Sequence, residues 1–318
     1  MKLLAKSLLR AVFMAVLLAA VGSVAVAQET DDQAKIDIYK RFVDNRVPNP
    51  RVAYVAAKDY LQKYTKDKDQ YVDYLKTWVA AFESDERKDN LPILINEKKF
   101  DEAYKTGATI LAAEPDYLRA QIDLGYAGYL AASAKNETHN AVALGYATKA
   151  IQAIEAGKAP HDWAPFKGKD DTLAYLNYAV GFLTLKTDPA KSIDYLLKAA
   201  QYNSEIKKTP STYYFLAAAY ESGPYKTMST AYQTEHAGKP ETPAGKAALE
   251  KLNVMMDRII DAYARAVATS GTDPKTEQSR KEWTTQLSNY YKFRHDGSDA
   301  GMTEFINTIL QKPLPPKP

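Results

Sequence analysis

No cysteine occurs in the 318 residues, so no disulfide can staple the fold and no thiolate can serve as nucleophile or metal ligand. Histidine is sparse too. His139, His161, His236 and His295 stand apart, none with a second histidine at helical ligand spacing. A catalytic zinc needs about three converging protein ligands, so neither a metal nor any other cofactor is expected. The phosphate-cradling Walker loop, the dinucleotide fingerprint and the Gly-x-Ser-x-Gly elbow are absent. Asp170-Asp171 precedes a helix, where capping and complementing the helix dipole account for it. The Asp-Gly-Ser-Asp run at 296–299 lacks the closing glutamate of a calcium loop. No stretch alternates long enough for a strand, and no Asn-Gly hairpin turn occurs. The chain therefore reads as all-α, with no catalytic set.

Charge of one sign is also missing once the start of the chain is set aside. Lys2, Lys6 and Arg10 precede an apolar run, 11–21, and then Ala25-Val26-Ala27. That is the layout of an export signal cut after Ala27. The uncharged segment 11–27 is shorter than the roughly 20 residues a spanning helix takes, so cleavage is preferred over a retained anchor, with no membrane insertion afterwards. The whole chain has 42 basic and 39 acidic residues; residues 1–27 hold three bases and no acid, leaving 39 of each. No basic excess remains to attract nucleic acid. Export without cysteine points to a periplasmic or secreted protein of a Gram-negative bacterium.

What the sequence does have is helical periodicity, punctuated by proline and glycine. Ile36, Tyr39, Phe42 and Val43 form one stripe, after a polar start at 28–35 expected to fray. Pro50 opens a helix carrying Ala53 and Ala57. A longer helix from Tyr71 is expected to break near 90–92, because Pro92 interrupts it. Helices over 100–113, 117–133 and 140–155 follow, then an aromatic- and proline-bearing loop at 157–170. Asp188-Pro189, Thr209-Pro210 and Thr242-Pro243 read as capped helix starts, and Gly223-Pro224 as a helix break. Leu249, Leu252, Met256, Ile259, Tyr263 and Ala266 form a packing seam. Pro313, Pro315, Pro316 and Pro318 make the last residues extended.

The stretch 96–128 organises this pattern. A tetratricopeptide unit carries Trp-x2-Leu-Gly-x2-Tyr on its first helix, then Ala-x3-Phe on its second and a closing Pro, over about 34 residues. Ala103, Gly107 and Pro115 match the second-helix spacing, and Leu124-Gly125 opens the next unit. Tyr213-x2-Leu216-Ala217-x2-Tyr220 matches a first helix, with Tyr for Trp and Ala for Gly. Ala53, Ala57 and Ala143, Ala147 repeat the small-residue pair, and Ser192 stands in the equivalent place. Over roughly 31–236 the chain resembles exported members of the tetratricopeptide-repeat family, in a degenerate form stretched by insertions. The resemblance implies a right-handed helical-hairpin solenoid with inserted loops. The expected organisation is a signal peptide, 1–27; a repeat region, 28–236; a C-terminal helical region packing on the repeats, 237–311; and a proline-rich tail, 312–318.

The resemblance also implies a non-catalytic scaffold that binds a protein or peptide of the cell envelope along its concave face, which first helices line. Tyrosine, 23 residues of it, suits such a surface, since it offers wide amphipathic contact at little rotamer cost. Arg119, Tyr126, Tyr129, Asn177, Tyr178 and Tyr214 are the candidate concave residues. Trp163 and Phe166, in the inserted loop, are candidate contacts if exposed, and gap-fillers between hairpins if folded back. Two other readings stay open: a helical hydrolase acting on envelope carbohydrate, which needs carboxylates converging on a cavity, and a small-ligand or glycan-binding module, which needs a closed aromatic pocket.

Overall fold

A computed structural model describes residues 26–67 and 69–317, with side chains from residue 32 onward. The expected export signal therefore lies, up to residue 25, outside the described residues. Every regular element described is helical, and no strand occurs among the described residues. The chain divides into two compact units between Glu86 and Arg87.

The first unit comprises α1 (Val26–Asn45), α2 (Pro50–Tyr64) and the part of α3 (Gln70–Asn96) up to Glu86. The polar residues 28–35 do not fray but form the start of α1. Pro50 occupies the first turn of α2, where its missing N–H costs nothing. Ala53 and Ala57 are fully buried beside Phe42, Tyr60 and Leu75, so the small residues do lie where α1 and α2 approach. Trp78 meets the Phe42 ring edge-on, with centroids 5.0 Å apart.

The second unit begins in the same α3 and continues through α4 (Phe100–Ala113), α5 (Leu118–Ser133), α6 (Asn140–Glu155), α7 (Lys169–Thr184), α8 (Pro189–Gln201), α9 (Pro210–Tyr220), α10 (Lys226–Glu235), α11 (Pro243–Ser270), α12 (Glu277–Arg294) and α13 (Met302–Thr308). The expected break at Pro92 is not there: α3 runs through it to Asn96. Proline removes one amide donor, but Leu91, Leu94 and Ile95 are buried with Phe100 and Ala103, and that packing outweighs the local loss. At Gly223-Pro224 the chain does not break either. Residues Glu221–Tyr225 wind as a π-helical turn between α9 and α10, which absorbs the proline by adding a residue to the turn.

Sequence neighbours pack as hairpins. α5 lies on α6 and α7 on α8, while α7 also contacts both α5 and α6. The α5–α6 crossing is the tightest. A β-carbon at Gly125 would sit 2.7 Å from the Ala147 Cα, and one at Gly128 would sit 2.2 Å from the Ala143 Cβ. These helices touch backbone to backbone, which explains Gly125, Ala143 and Ala147 as structural positions. Ala103, Leu124, Leu216, Ala217 and Tyr220 are likewise buried, and Pro115 sits exposed in the α4–α5 turn. Ser192 is fully buried and donates to the Gly181 carbonyl at 2.7 Å, tying α8 to α7.

The main partner of α9 beyond α8 is α11, with α10 and the loop before α11 lying between them in sequence. Helix starts behave unequally. Asp188 and Thr242 accept from the amides of Lys191 and Gly245, as capping requires. Thr209 does not cap: its hydroxyl turns back to donate to the Glu205 carbonyl. Leu249, expected in the α11 seam, is 38% exposed, whereas Leu252, Met256, Ile259 and Tyr263 are buried. No helix among the described residues is long and apolar enough to cross a membrane.

Substitutions in the α5–α6 hairpin separate close packing from helix propensity. Gly125→Val should destabilise the chain by roughly 2 kcal/mol or more, because the added carbons meet the α6 backbone. Gly145→Ala on α6, where a β-carbon meets nothing within 4 Å, should stabilise by about 0.5–1 kcal/mol. Chemical denaturation of both variants checks the contrast.

Candidate functional site

Aromatic side chains of α5, α7 and α9 meet in a continuous run. Tyr126 and Tyr129 project from neighbouring turns of α5, centroids 5.7 Å apart. Tyr126 meets Tyr175 of α7 edge-on at 5.4 Å and Phe166 of the preceding loop at 5.6 Å. Tyr129 meets Tyr178 at 5.0 Å and Phe182 at 5.2 Å. Phe182 touches Phe215 of α9 at 5.0 Å, and Tyr214 stacks on Trp283 of α12 at 5.4 Å. Edge and tilted contacts of this kind contribute about 0.5–1.5 kcal/mol each beyond the area buried. Tyr126, Tyr129, Tyr175, Phe182, Tyr214 and Phe215 are half-buried, so the run is part core and part surface.

A separate group of tyrosines surrounds a carboxylate. Glu221, in the π-helical turn, accepts from the Tyr263 hydroxyl at 3.1 Å and from Tyr290. Burial raises its pKa, and the two phenol hydroxyls only partly oppose that. Tyr290 meets Tyr225 edge-on and lies parallel to Tyr263, so the carboxylate is surrounded by phenol rings. Gly223-Pro224 looks in sequence like a simple helix breaker. The π turn it forms presents Glu221, and nothing in the residue spacing signals that.

The expected concave residues divide. Tyr126, Tyr129 and Tyr214 lie in the aromatic run at its half-buried level. Tyr178 belongs to the core: it is 2% exposed, and its hydroxyl bonds Ser211 at 2.7 Å. Asn177 is fully buried, donating to the Leu173 carbonyl at 2.7 Å. Both were expected on an open face, but Tyr178 is covered by Tyr129 of α5 and Phe215 of α9, and Asn177 is buried with its amide turned back onto its own helix. Arg119 is not a free surface cation. It pairs with Asp123 at 2.8 Å and donates to the Asp162 carbonyl at 3.3 Å, stapling the inserted loop to α5.

The inserted loop is folded inward. Phe166 is buried between Tyr126 and Tyr175, and Trp163 is half-buried against the same cluster. Phe166 therefore fills a gap and is no exposed contact. Asp171 does not cap α7. It is buried and accepts from the Lys167 amide at 2.9 Å and the Ser204 hydroxyl at 2.6 Å, binding the loop to the turn after α8. Beside the staple, Tyr117, Leu118, Arg119, Lys158, Pro160 and His161 line a cavity of about 360 Å³.

Comparison of the chain with protein-family models, with curated proteins and with solved structures returned no match.

The ionisable groups of the unit are held by neighbours. Its clearly desolvated carboxylates are Asp123, Glu221 and Asp261, and each has dedicated donors: Arg119, the tyrosines, and Arg265. No group of histidine and carboxylate side chains that could hold a metal ion occurs among the described residues. His139 stacks on Tyr104 at 4.1 Å and meets Asp101 at 2.7 Å, and His295 stacks on Tyr291 at 4.0 Å.

Asp123 gives a test by pH. Burial pushes its carboxyl up from 3.8 to about 6, against the opposing pull of Arg119. The folded state then binds the proton more tightly than the unfolded chain. The stabilisation from that proton is complete below about 4 and lost as pH rises through about 6. Between pH 4 and 7 the wild type should lose stability relative to Asp123→Asn by on the order of 2–3 kcal/mol. Paired denaturation curves at the two pH values check it.

Proposed function

We propose that this chain is a non-catalytic binding protein of the cell envelope, built as a right-handed tetratricopeptide-like solenoid and engaging a protein segment along its aromatic face. The observation that carries the reading is the run of half-buried rings Tyr126, Tyr129, Phe182, Phe215 and Tyr214, anchored on the buried Phe166 and Trp283. Rings that are half-buried in the free chain can bury their remaining apolar surface at little cost in side-chain entropy. Glu221, a carboxylate ringed by phenols, suits a basic side chain of the ligand, by charge and cation–π attraction together. The best ligand is then an extended or helical protein segment with apolar anchors and a lysine or arginine.

The tight α5–α6 crossing and the stacking of α7 on both supply the hairpin geometry this reading needs. Residues 1–27 fit an export signal in sequence, which supports a partner in the periplasm or outside the cell. N-terminal sequencing of the mature protein should read Gln28 first; a mature chain starting at Met1 would remove the envelope assignment.

Selection of displayed random peptides on the wild-type protein tests the face. Selected peptides should bind saturably and share apolar anchors with a basic residue. Tyr129→Ala/Phe215→Ala should weaken them tenfold or more, about 1.4 kcal/mol. Glu221→Gln should act most on peptides whose basic residue is intact. Peptides that bind the double variant as well as the wild type would refute the aromatic face as the binding surface.

A further inference from the structure

The proline-rich segment 312–317 is seated on a surface separate from the aromatic run. Lys312 has φ −85° and ψ 145°, close to polyproline II geometry. A chain in that conformation has no internal hydrogen bonds, so its carbonyls are free for donors elsewhere. Here α11 supplies them. Arg265 is 4% exposed, held by Asp261 at 2.6 Å, and its Nη2 donates to the carbonyls of Lys312 at 3.1 Å and Pro313 at 2.9 Å. Arg258, two turns earlier on the same helix, donates through Nη1 to the Pro316 carbonyl.

Side chains read the segment at three more points. The Lys312 ammonium sits 4.9 Å over the Phe305 ring of α13. Leu314 packs against the core of the second unit. The Lys317 ammonium pairs with Asp194 of α8 at 2.7 Å. Two arginines on a helical comb, an apolar slot and two cation sites are the parts of a peptide receptor. They discriminate by backbone conformation as well as by side chain.

The segment underfills its seat. A cavity of about 400 Å³ remains beside Pro315, lined by Asp257, Arg258, Asp261, Tyr291, His295 and Phe305. Arg258 Nε, in the cavity lining, and Asp194 Oδ1, on α8, are buried without a hydrogen-bond partner, although both residues already hold the segment through other atoms. A buried donor or acceptor left unpaired costs about 1–3 kcal/mol. A ligand that supplied a further carbonyl to Arg258 and a further donor to Asp194 would recover it.

The geometry points to a second binding site, between α8, α11 and α13, for a proline-rich peptide of a partner protein that carries lysine and leucine as residues 312–317 do. The chain's own segment is its resident competitor. Binding in trans must displace that segment, which is present at an effective concentration of order millimolar. The site thus opens only to a ligand that fills it better than the resident does. This inference does not depend on the aromatic face, which uses different side chains.

The probe is a fluorescent peptide Lys-Pro-Leu-Pro-Pro-Lys, read by anisotropy against full-length protein. Leu314→Asp/Lys317→Glu, which loosens the resident segment, should bind the probe at least tenfold more tightly than the wild type. Lys317 is exposed, so Lys317→Glu alone should fold normally and shift affinity in the same direction. Adding Arg258→Met or Asp194→Asn to Lys317→Glu should cost tenfold or more. A probe with aspartate in place of leucine should not bind. Equal affinity of the wild type and both loosened variants, or saturable binding by none of them, would overturn the site. Sedimentation gives the remaining outcome. A concentration-dependent wild-type dimer that disappears in Lys317→Glu would assign the groove to a second copy of this chain and overturn the partner assignment.

Discussion

The backbone contact between α5 and α6 is the constraint on which the second unit depends. Gly125 and Gly128 face Ala147 and Ala143 so closely that no larger side chain fits. Dispersion and burial in such a crossing are gained only at short range, and they fall steeply if the helices part. With α6 held against α5, α7 has a surface formed by both helices to pack upon. That arrangement brings the outward aromatics of α5 and α7 within ring contact. The aromatic run is thus a consequence of the glycines, not an independent feature.

Charge is handled by the same economy of space. The second unit buries three carboxylates to a degree that raises their pKa, and each is met by donors from its own neighbourhood. Arg119 and Arg265 lie four residues beyond or before their partners on one helix face, so each pair forms without help from tertiary structure. What tertiary structure adds is the second use of each guanidinium. Arg119 reaches the inserted loop and Arg265 reaches the proline-rich segment, so two irregular stretches are fixed by helices that would pair their charges anyway.

Much of this was legible in the sequence. The helices over 100–113 and 140–155, the absence of strands among the described residues and the extended proline-rich segment all follow from local periodicity and from proline's fixed φ. The small residues at Ala53, Ala103, Ala143 and Gly125 are buried because their spacing puts them on one helix face. The candidate site was legible only in part. Tyr126, Tyr129 and Tyr214 belong to the half-buried part of the aromatic run, but Asn177 and Tyr178, within a turn of the half-buried Tyr175 on α7, are core. A helical stripe tells which residues share a face, not how much of that face a neighbour covers. Glu221 was not legible, since its exposure to the tyrosines depends on a π turn that Gly223-Pro224 does not announce.

Local rules therefore determined the class of structure: where helices run, where several of them are capped, and where proline forbids them. They erred at Pro92, where burial of several apolar side chains outweighs a lost amide bond, and at Pro224, where a π-helical turn takes up the proline. Only the tertiary structure decided which aromatics stay half-open, which arginines are already spent on the chain's own carbonyls, and that residues 312–317 lie in a groove. Those outcomes turn on contacts between residues far apart in sequence. Lys317 and Asp194 are separated by 123 positions, and no local pattern records that they meet.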